Sequence, residues 1–278
     1  MTAKENKERA DLLLVEQGLA PSRERARALI MAGQVYLDTR RIEKAGQPVP
    51  REKKLEVKGQ ALPYVSRGGL KLEKALRMFP IELQERRVLD IGASTGGFTD
   101  CALQNGAREV IAVDVGYGQL DWKLRSHPQV KVMEKTNARY LTRQDIDGPV
   151  DFVTIDVSFI SLDKILPVLP GLFSAAGQGV ALIKPQFEAG REKVGKKGVV
   201  KDPGVHREVI LRVLSELDRT GLQPYGLTFS PVRGPEGNIE YLLWFGRQEE
   251  QRLPGIVSDV DTVIGQAFQT LKGGNHDS

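Results

Sequence analysis

The sequence predicts an α/β fold, with a doubly wound sheet in most of the chain and a smaller α+β unit in front of it. Three observations predict this. Strand-like and helix-like segments alternate between about residues 80 and 248, the pattern of parallel strands joined by helices. A glycine-rich turn, Gly92-Ala93-Ser94-Thr95-Gly96-Gly97, follows the first apolar strand of that series. Finally, residues 1–60 carry an excess of positive charge equal to the whole chain's formal net charge of +4, so the rest of the chain is balanced. An excess confined to one end points to a module that meets a polyanion.

A chain of 278 residues that is 40% hydrophobic can bury a sizeable core. Its single cysteine, Cys101, excludes an internal disulfide framework and fits a reducing, cytoplasmic setting. Residues Met1 to Ala10 are charged and read as no secretory leader, and no apolar run approaches membrane-spanning length. No membrane association is expected, and no obligate protein partner is evident. The three histidines lack a metal-ligand spacing with Cys101, so no metal is expected.

In the front unit, residues 1–60, Leu12, Leu13, Val15 and Leu19 mark a first helix that Gly18 ends. Ser22 is a suitable N-cap for a second, which buries Ala26, Leu29 and Ile30 and leaves Arg23, Arg25 and Arg27 outside. Short strands follow at residues 34–37, at Val49 and at 55–57. Residues 61–65 read as a linker, and residues 66–278 as the second domain. There Ser66 can cap a helix holding Leu70, Lys71, Leu72, Lys74, Ala75 and Leu76, which Pro80 ends.

The strands of the large unit are expected at 88–91, 110–114, 130–133, 151–156 and 179–184. A hairpin follows, from Leu222 to Phe229 and from Ile239 to Phe245. Helices are expected from His206 to Leu217 and, at the end, through Val257, Val260, Ile264 and Phe268, before a loose tail from Gly273 to Ser278. Trp244 reads as core. Trp122 reads equally as core or as a surface against adenine.

Ligands of such sheets sit at the carboxyl ends of the strands. Gly92, Gly96 and Gly97 let backbone approach a ligand, and the helix opening at Phe98 offers free amide groups. Asp114 ends the second strand, placed to accept ribose hydroxyls. Asn137 could meet an adenine edge. Asp156 and Lys184 close apolar strands, where a charge makes a poor core residue. With Lys71 and Glu240 they form a set suited to ribose 2′-O-methylation: Lys184 as base, Lys71 and Glu240 as orienters, Asp156 as electrostatic partner near the methyl group. A ribose hydroxyl must lose its proton during attack, and a lysine can take it once burial and a neighbouring cation favour its neutral form. The glycine- and lysine-rich segment 190–198 reads either as a solvated loop or as one that orders on RNA.

Three resemblances sharpen this reading. The turn opening with Asp90-Ile91-Gly92 and closing at Gly96 is similar to the S-adenosylmethionine site of Rossmann-like methyltransferases. That implies this cofactor, with Asp90, Gly92, Ser94, Thr95, Gly96, Gly97, Phe98, Asp114, Asn137 and Asp156 as binding residues. The segment from Ala20 to Leu37 resembles the RNA-binding domain of the ribosomal-protein S-four family, with Arg23, Arg27, Arg40, Lys44 and Arg67 as RNA-binding candidates. Nearly the whole chain resembles the TlyA family, through Ser66-Arg67-Gly68-Gly69-Leu70-Lys71-Leu72, Asp90 to Asp100, Asp151 to Ser158, Lys184 to Glu188 and Gly237 to Tyr241. The resemblance implies an S-four-type domain joined to an FtsJ-like methyltransferase that modifies cytidine 2′-hydroxyls in ribosomal RNA, on free RNA or ribosomal subunits. Its Lys-Asp-Lys-Glu tetrad carries onto Lys71, Asp156, Lys184 and Glu240. Some members have Arg-x-Trp-Val where this chain has Leu62-Pro63-Tyr64-Val65. The alternatives are a catalytically degenerate RNA-binding or ribosome-assembly protein and, from a haemolysin label the family also bears, a membrane-active one.

Overall fold

The computed structural model describes residues 6–31, 33–58, 62–248 and 256–272. The expected tail from Gly273 to Ser278 and the start of the linker at Ala61 lie outside them. The chain divides into two compact units, Met1–Ser66 and Arg67–Ser278.

The front unit comprises β1 (Lys7–Arg9), α1 (Ala10–Glu16), α2 (Arg23–Met31), β2 (Val35–Leu37), β3 (Arg40–Arg41), β4 (Pro48–Pro50) and β5 (Leu55–Val57). Strands β3, β2 and β5 form one antiparallel sheet, and β1 pairs with β4 in another. Ser22 does cap α2, its Oγ accepting from Arg25 N–H at 3.2 Å. Gly18 takes a positive φ just beyond α1, a conformation that glycine adopts without steric penalty. Leu13, Leu14, Ala26, Ile30, Val35 and Val49 close a core of its own.

The large unit opens with α3 (Gly68–Met78). Its N-cap is Arg67, whose side chain makes no cap hydrogen bond, so the helix begins two residues beyond the expected cap, Ser66. There follow β6 (Arg87–Ile91), α4 (Gly97–Gln104), β7 (Glu109–Val113), α5 (Trp122–Arg125), β8 (Val130–Met133), β9 (Val150–Ile155), α6 (Leu169–Leu172), β10 (Phe173–Ile183), α7 (Pro185–Glu188), α8 (Pro203–Arg219), β11 (Gln223–Phe229), β12 (Tyr241–Gly246) and α9 (Ile256–Lys272). The seven strands run in the order β11-β12-β10-β9-β6-β7-β8. The run from β10 through β9, β6 and β7 to β8 is parallel, and the β11–β12 hairpin adds to it antiparallel. Strand β10 starts at Phe173, earlier than expected, because its first half, Ser174 to Gln178, is small and polar.

Side chains alternate between the two faces of each strand. Leu89, Ile91, Val153, Ile155, Ala181, Ile183, Tyr241 and Leu243 share one apolar cluster with Val209 and Val213 of α8 and Val260 and Ile264 of α9. The intervening residues, among them Asp90, Thr154, Leu182 and Leu242, face the other way. Asp156, Lys184 and Glu240 continue that second series at or beside the strand ends. The register of one sheet thus directs three charged residues to the same side.

Candidate active site

Strands β6 and β9 are parallel neighbours with Ile91 opposite Ile155, and Asp156 N–H donates to the Ile91 carbonyl at 3.0 Å. Their close approach depends on Gly92. Its φ is +84°, and a β-carbon there would stand 2.6 Å from the Asp156 carbonyl oxygen. Absence of a side chain at this position serves the packing of the two strand ends, so that the glycine turn and Asp156 sit side by side.

All four tetrad residues meet. Lys71 Nζ lies 2.8 Å from Glu240 Oε2 and 3.3 Å from Asp156 Oδ2. Lys184 Nζ lies 2.6 Å from Asp156 Oδ1 and donates to Ser158 Oγ at 2.9 Å. The chain of contacts therefore runs Glu240, Lys71, Asp156, Lys184. Two ammonium groups face two carboxylates, so the buried charge balances. Lys71, Lys184 and Glu240 are buried. Burial weakens the Lys71 ammonium, but the charges of Asp156 and Glu240 outweigh it and raise its pKa above the ordinary value. For Asp156, burial pushes upward, and the two lysines override it and lower its pKa. Among the described residues Glu240 Oε1, which is buried, has no hydrogen-bond donor, and a β-carbon at Gly234 would stand 2.2 Å from it.

The turn is tied to the second strand by Asp114, which is half-buried. Its Oδ2 accepts from Ser94 N–H at 2.8 Å and its Oδ1 from Gly116 N–H at 2.7 Å. Ser94 Oγ donates to Gln119 Oε1 at 3.3 Å, and Asp121 N–H to the Thr95 carbonyl at 3.1 Å. Ser94 and Thr95 are exposed above this frame. Gly96 caps α4 with a φ of 96°. The residues fit a nucleoside bearing an amino-acid tail: open amides at the start of α4 for a carboxylate, hydroxyls at Ser94 and Thr95, and a carboxylate at Asp114.

Two expected cofactor residues have buried side chains. Asp90 is buried behind the turn, where its carboxylate accepts from Thr99 Oγ1 at 2.6 Å and Thr154 Oγ1 at 2.9 Å. These two hydroxyl donors tie it to α4 and β9 beneath the turn. The Phe98 ring is likewise buried, leaving only its backbone amide at the helix start. Asn137 Oδ1 accepts from Arg139 N–H and Nε–H, both at 3.2 Å. Trp244 is core, stacked on Phe79 at 5.5 Å, whereas Trp122 is 70% exposed, which removes the core alternative for it.

Sequence reasoning passed over Phe159. It is 90% exposed, takes a φ of 64°, and lies 4.9 Å from the Phe187 ring, next to Ser158. Glu188 fastens the same loop, accepting from Ser161 Oγ at 2.6 Å and Leu162 N–H at 2.8 Å. A large aromatic just past a strand-end Asp-x-Ser was the available signal.

Of the RNA-binding candidates, Arg23, Arg27, Arg40, Lys44 and Arg67 are exposed. Arg23 and Arg27 share a partner that the sequence did not reveal, the buried Asp11. Among the described residues no helix is long and apolar enough to cross a membrane.

Comparison with known proteins agrees with this architecture. Residues 64–247 match the family described as FtsJ-like methyltransferase, and residues 8–54 match the S4 domain. The chain is 55% identical to the candidate rRNA methyltransferase YqxC of Bacillus subtilis over 98% of this chain and 97% of the relative. It is 46% identical to the 16S/23S rRNA (cytidine-2'-O)-methyltransferase TlyA of Mycobacterium tuberculosis, over 88% of this chain and 92% of that one. A solved structure of a candidate hemolysin from Streptococcus thermophilus matches with a TM-score of 0.79 at 44% identity, covering 99% of this chain and 100% of its own.

Proposed function

From the premise that the chain belongs to the FtsJ-like methyltransferase family, in its TlyA branch, we propose that it uses S-adenosylmethionine to methylate cytidine 2′-hydroxyls in ribosomal RNA. The observation that carries this reading is the ion-paired run of Glu240, Lys71, Asp156 and Lys184 beside the glycine turn.

When bound, S-adenosylmethionine supplies an electrophilic methyl group on a sulfonium. The turn from Gly92 to Gly97, with Ser94, Thr95, Asp114 and Asn137, is the part of this chain that would hold it. Lys184 Nζ is the atom placed to accept the ribose hydroxyl proton. Asp156 and Ser158 fix the position of that Nζ, and Lys71, anchored by Glu240, fixes Asp156. Alignment of this kind supplies a large share of the acceleration. The exposed Phe159 ring suits stacking with an unpaired base, since every base offers a π-face. Arg23, Arg27, Arg40, Lys44 and Arg67 would meet phosphates. Such a substrate places the protein in the cytoplasm, with ribosomal subunits as its partners.

The test is Lys184→Ala. Loss of a positioned base is worth about 10²–10⁴-fold in rate. Methyl transfer to ribosomal RNA should fall by that order while calorimetric binding of S-adenosylmethionine persists. Undiminished turnover would remove Lys184 from the mechanism, and absence of cofactor binding in the parent chain would favour a degenerate RNA-binding protein.

A further inference from the structure

Asp11 sits in the first turn of α1 with none of its side chain exposed, yet three partly exposed arginines converge on it. Arg9 makes a forked contact, Nε to Oδ1 and Nη2 to Oδ2, both at 3.0 Å. Arg23 Nε reaches Oδ2 at 3.0 Å and Arg27 Nε reaches it at 3.3 Å. The carboxylate pKa is held far below the ordinary range, first by the Arg9 hydrogen bonds and against the effect of burial. Gly46 makes room for this arrangement, because a β-carbon there would stand 2.9 Å from Arg9 Nη1.

Arg23 and Arg27 thus each reach Asp11 through Nε, and among the described residues their terminal amino groups make no hydrogen bond to it. A guanidinium can do this because its donors form a rigid fork; a lysine has one ammonium and cannot serve two anions with the same geometry. The carboxylate also takes one charge from the cluster. Its presence therefore makes no sense as a way to maximise attraction for a polyanion, but it does fix where the remaining donors point.

We propose that Asp11 is the positioning residue of an arginine cluster, Arg9, Arg23 and Arg27, that binds the phosphodiester backbone of RNA. This rests on the RNA-binding reading above and adds to it Arg9 as a contact and Asp11 as the group that orders all three. Ordering before binding removes the entropy cost of immobilising three long side chains at the interface.

The proposal and simple charge counting disagree in sign for Asp11→Asn. Charge counting gives one more net positive charge, hence tighter binding and a steeper fall of affinity with salt. The positioning role gives weaker binding, by roughly tenfold near 0.1 M salt, and a log–log salt slope shallower by about 0.9 for each phosphate that is no longer neutralised. The measurement is filter binding of the full chain to deproteinised ribosomal RNA across a salt series, with thermal unfolding of each variant. Arg27→Lys is the second arm. It keeps the charge at an exposed site and should also weaken binding, with a higher KM for RNA in methyl transfer. Tighter or equal binding by both variants, with the parent chain binding RNA, overturns the positioning role and leaves the wider reading standing. If Asp11→Asn does not fold, parental binding by Arg27→Lys alone overturns it. Absence of RNA binding by the parent chain overturns both.

Discussion

Burial changes the chemistry of Asp90. Its pKa is pushed up to about 6, by burial first and by the charge of Asp156, with the Thr99 and Thr154 hydrogen bonds pulling back. The ordinary value is 3.8. Between these two values the folded chain keeps a proton that the unfolded chain releases. Its contribution to stability is therefore fully present below the lower value and is lost as pH rises through about 6. Asp90→Asn keeps the shape and removes this titration. Relative to the parent, the variant should gain stability between about pH 4 and about pH 7, by up to roughly 3 kcal/mol. Thermal unfolding at several pH values checks this; a difference that does not change with pH would mean that Asp90 is not the titrating group. Asp11 is the opposite case, a buried carboxylate kept ionised by three guanidinium groups. Neither state is visible in the sequence. An Asp within an apolar stretch shows its burial only once its partners, such as Arg23 and Arg27 on the next helix, are placed in space.

At the scale of elements, the contact between β6 and β9 governs the site. Gly92→Ala would bring a β-carbon to 2.6 Å from the Asp156 backbone at a φ that disfavours side chains. A cost of at least roughly 2 kcal/mol is expected, since strained backbone alone costs about 1–3 kcal/mol. The strands must also separate, which moves Asp156 away from Lys71 and Lys184. A urea midpoint well below the parent's, together with abolished turnover, is the expected result; parental values for both would show that the contact is slack. The same elements show what was legible. The strand ends at Asp156 and Lys184 could be read because apolar runs stop there at a charge. The hairpin could be read from its loop of Ser230, Pro231, Gly234 and Pro235. Strand β1 could not: Lys7–Arg9 is entirely charged and becomes a strand only by pairing with Pro48–Pro50. The start of β10 was hidden for a related reason, since Ser174 to Gln178 lacks the apolar signature of a buried strand. Lys71 and Lys74 are both buried, and the sequence gave no sign of it, because helix lysines usually face water.

At the scale of the molecule, each unit closes a separate apolar core, one around Leu13, Ile30 and Val49 and one around Ile91, Ile155 and Leu243. The basic excess belongs to the front unit, and the ion-paired tetrad to the other. A fragment comprising residues 67–278 should retain S-adenosylmethionine binding by calorimetry. Its methyl transfer to ribosomal RNA should drop at least ~10-fold, as expected when several phosphate-binding side chains are removed. Undiminished transfer by the fragment would show that the front unit is not needed to engage ribosomal RNA.

The 2.8 Å contact between Lys71 and Glu240 joins the opening helix of the large unit to the threshold of its last strand. A chain emerging from the ribosome has made Lys71 early and Glu240 almost at the end of that domain. Until then Lys71 lacks this carboxylate partner. A product truncated before residue 240 would therefore lack the ion pair that holds Lys71.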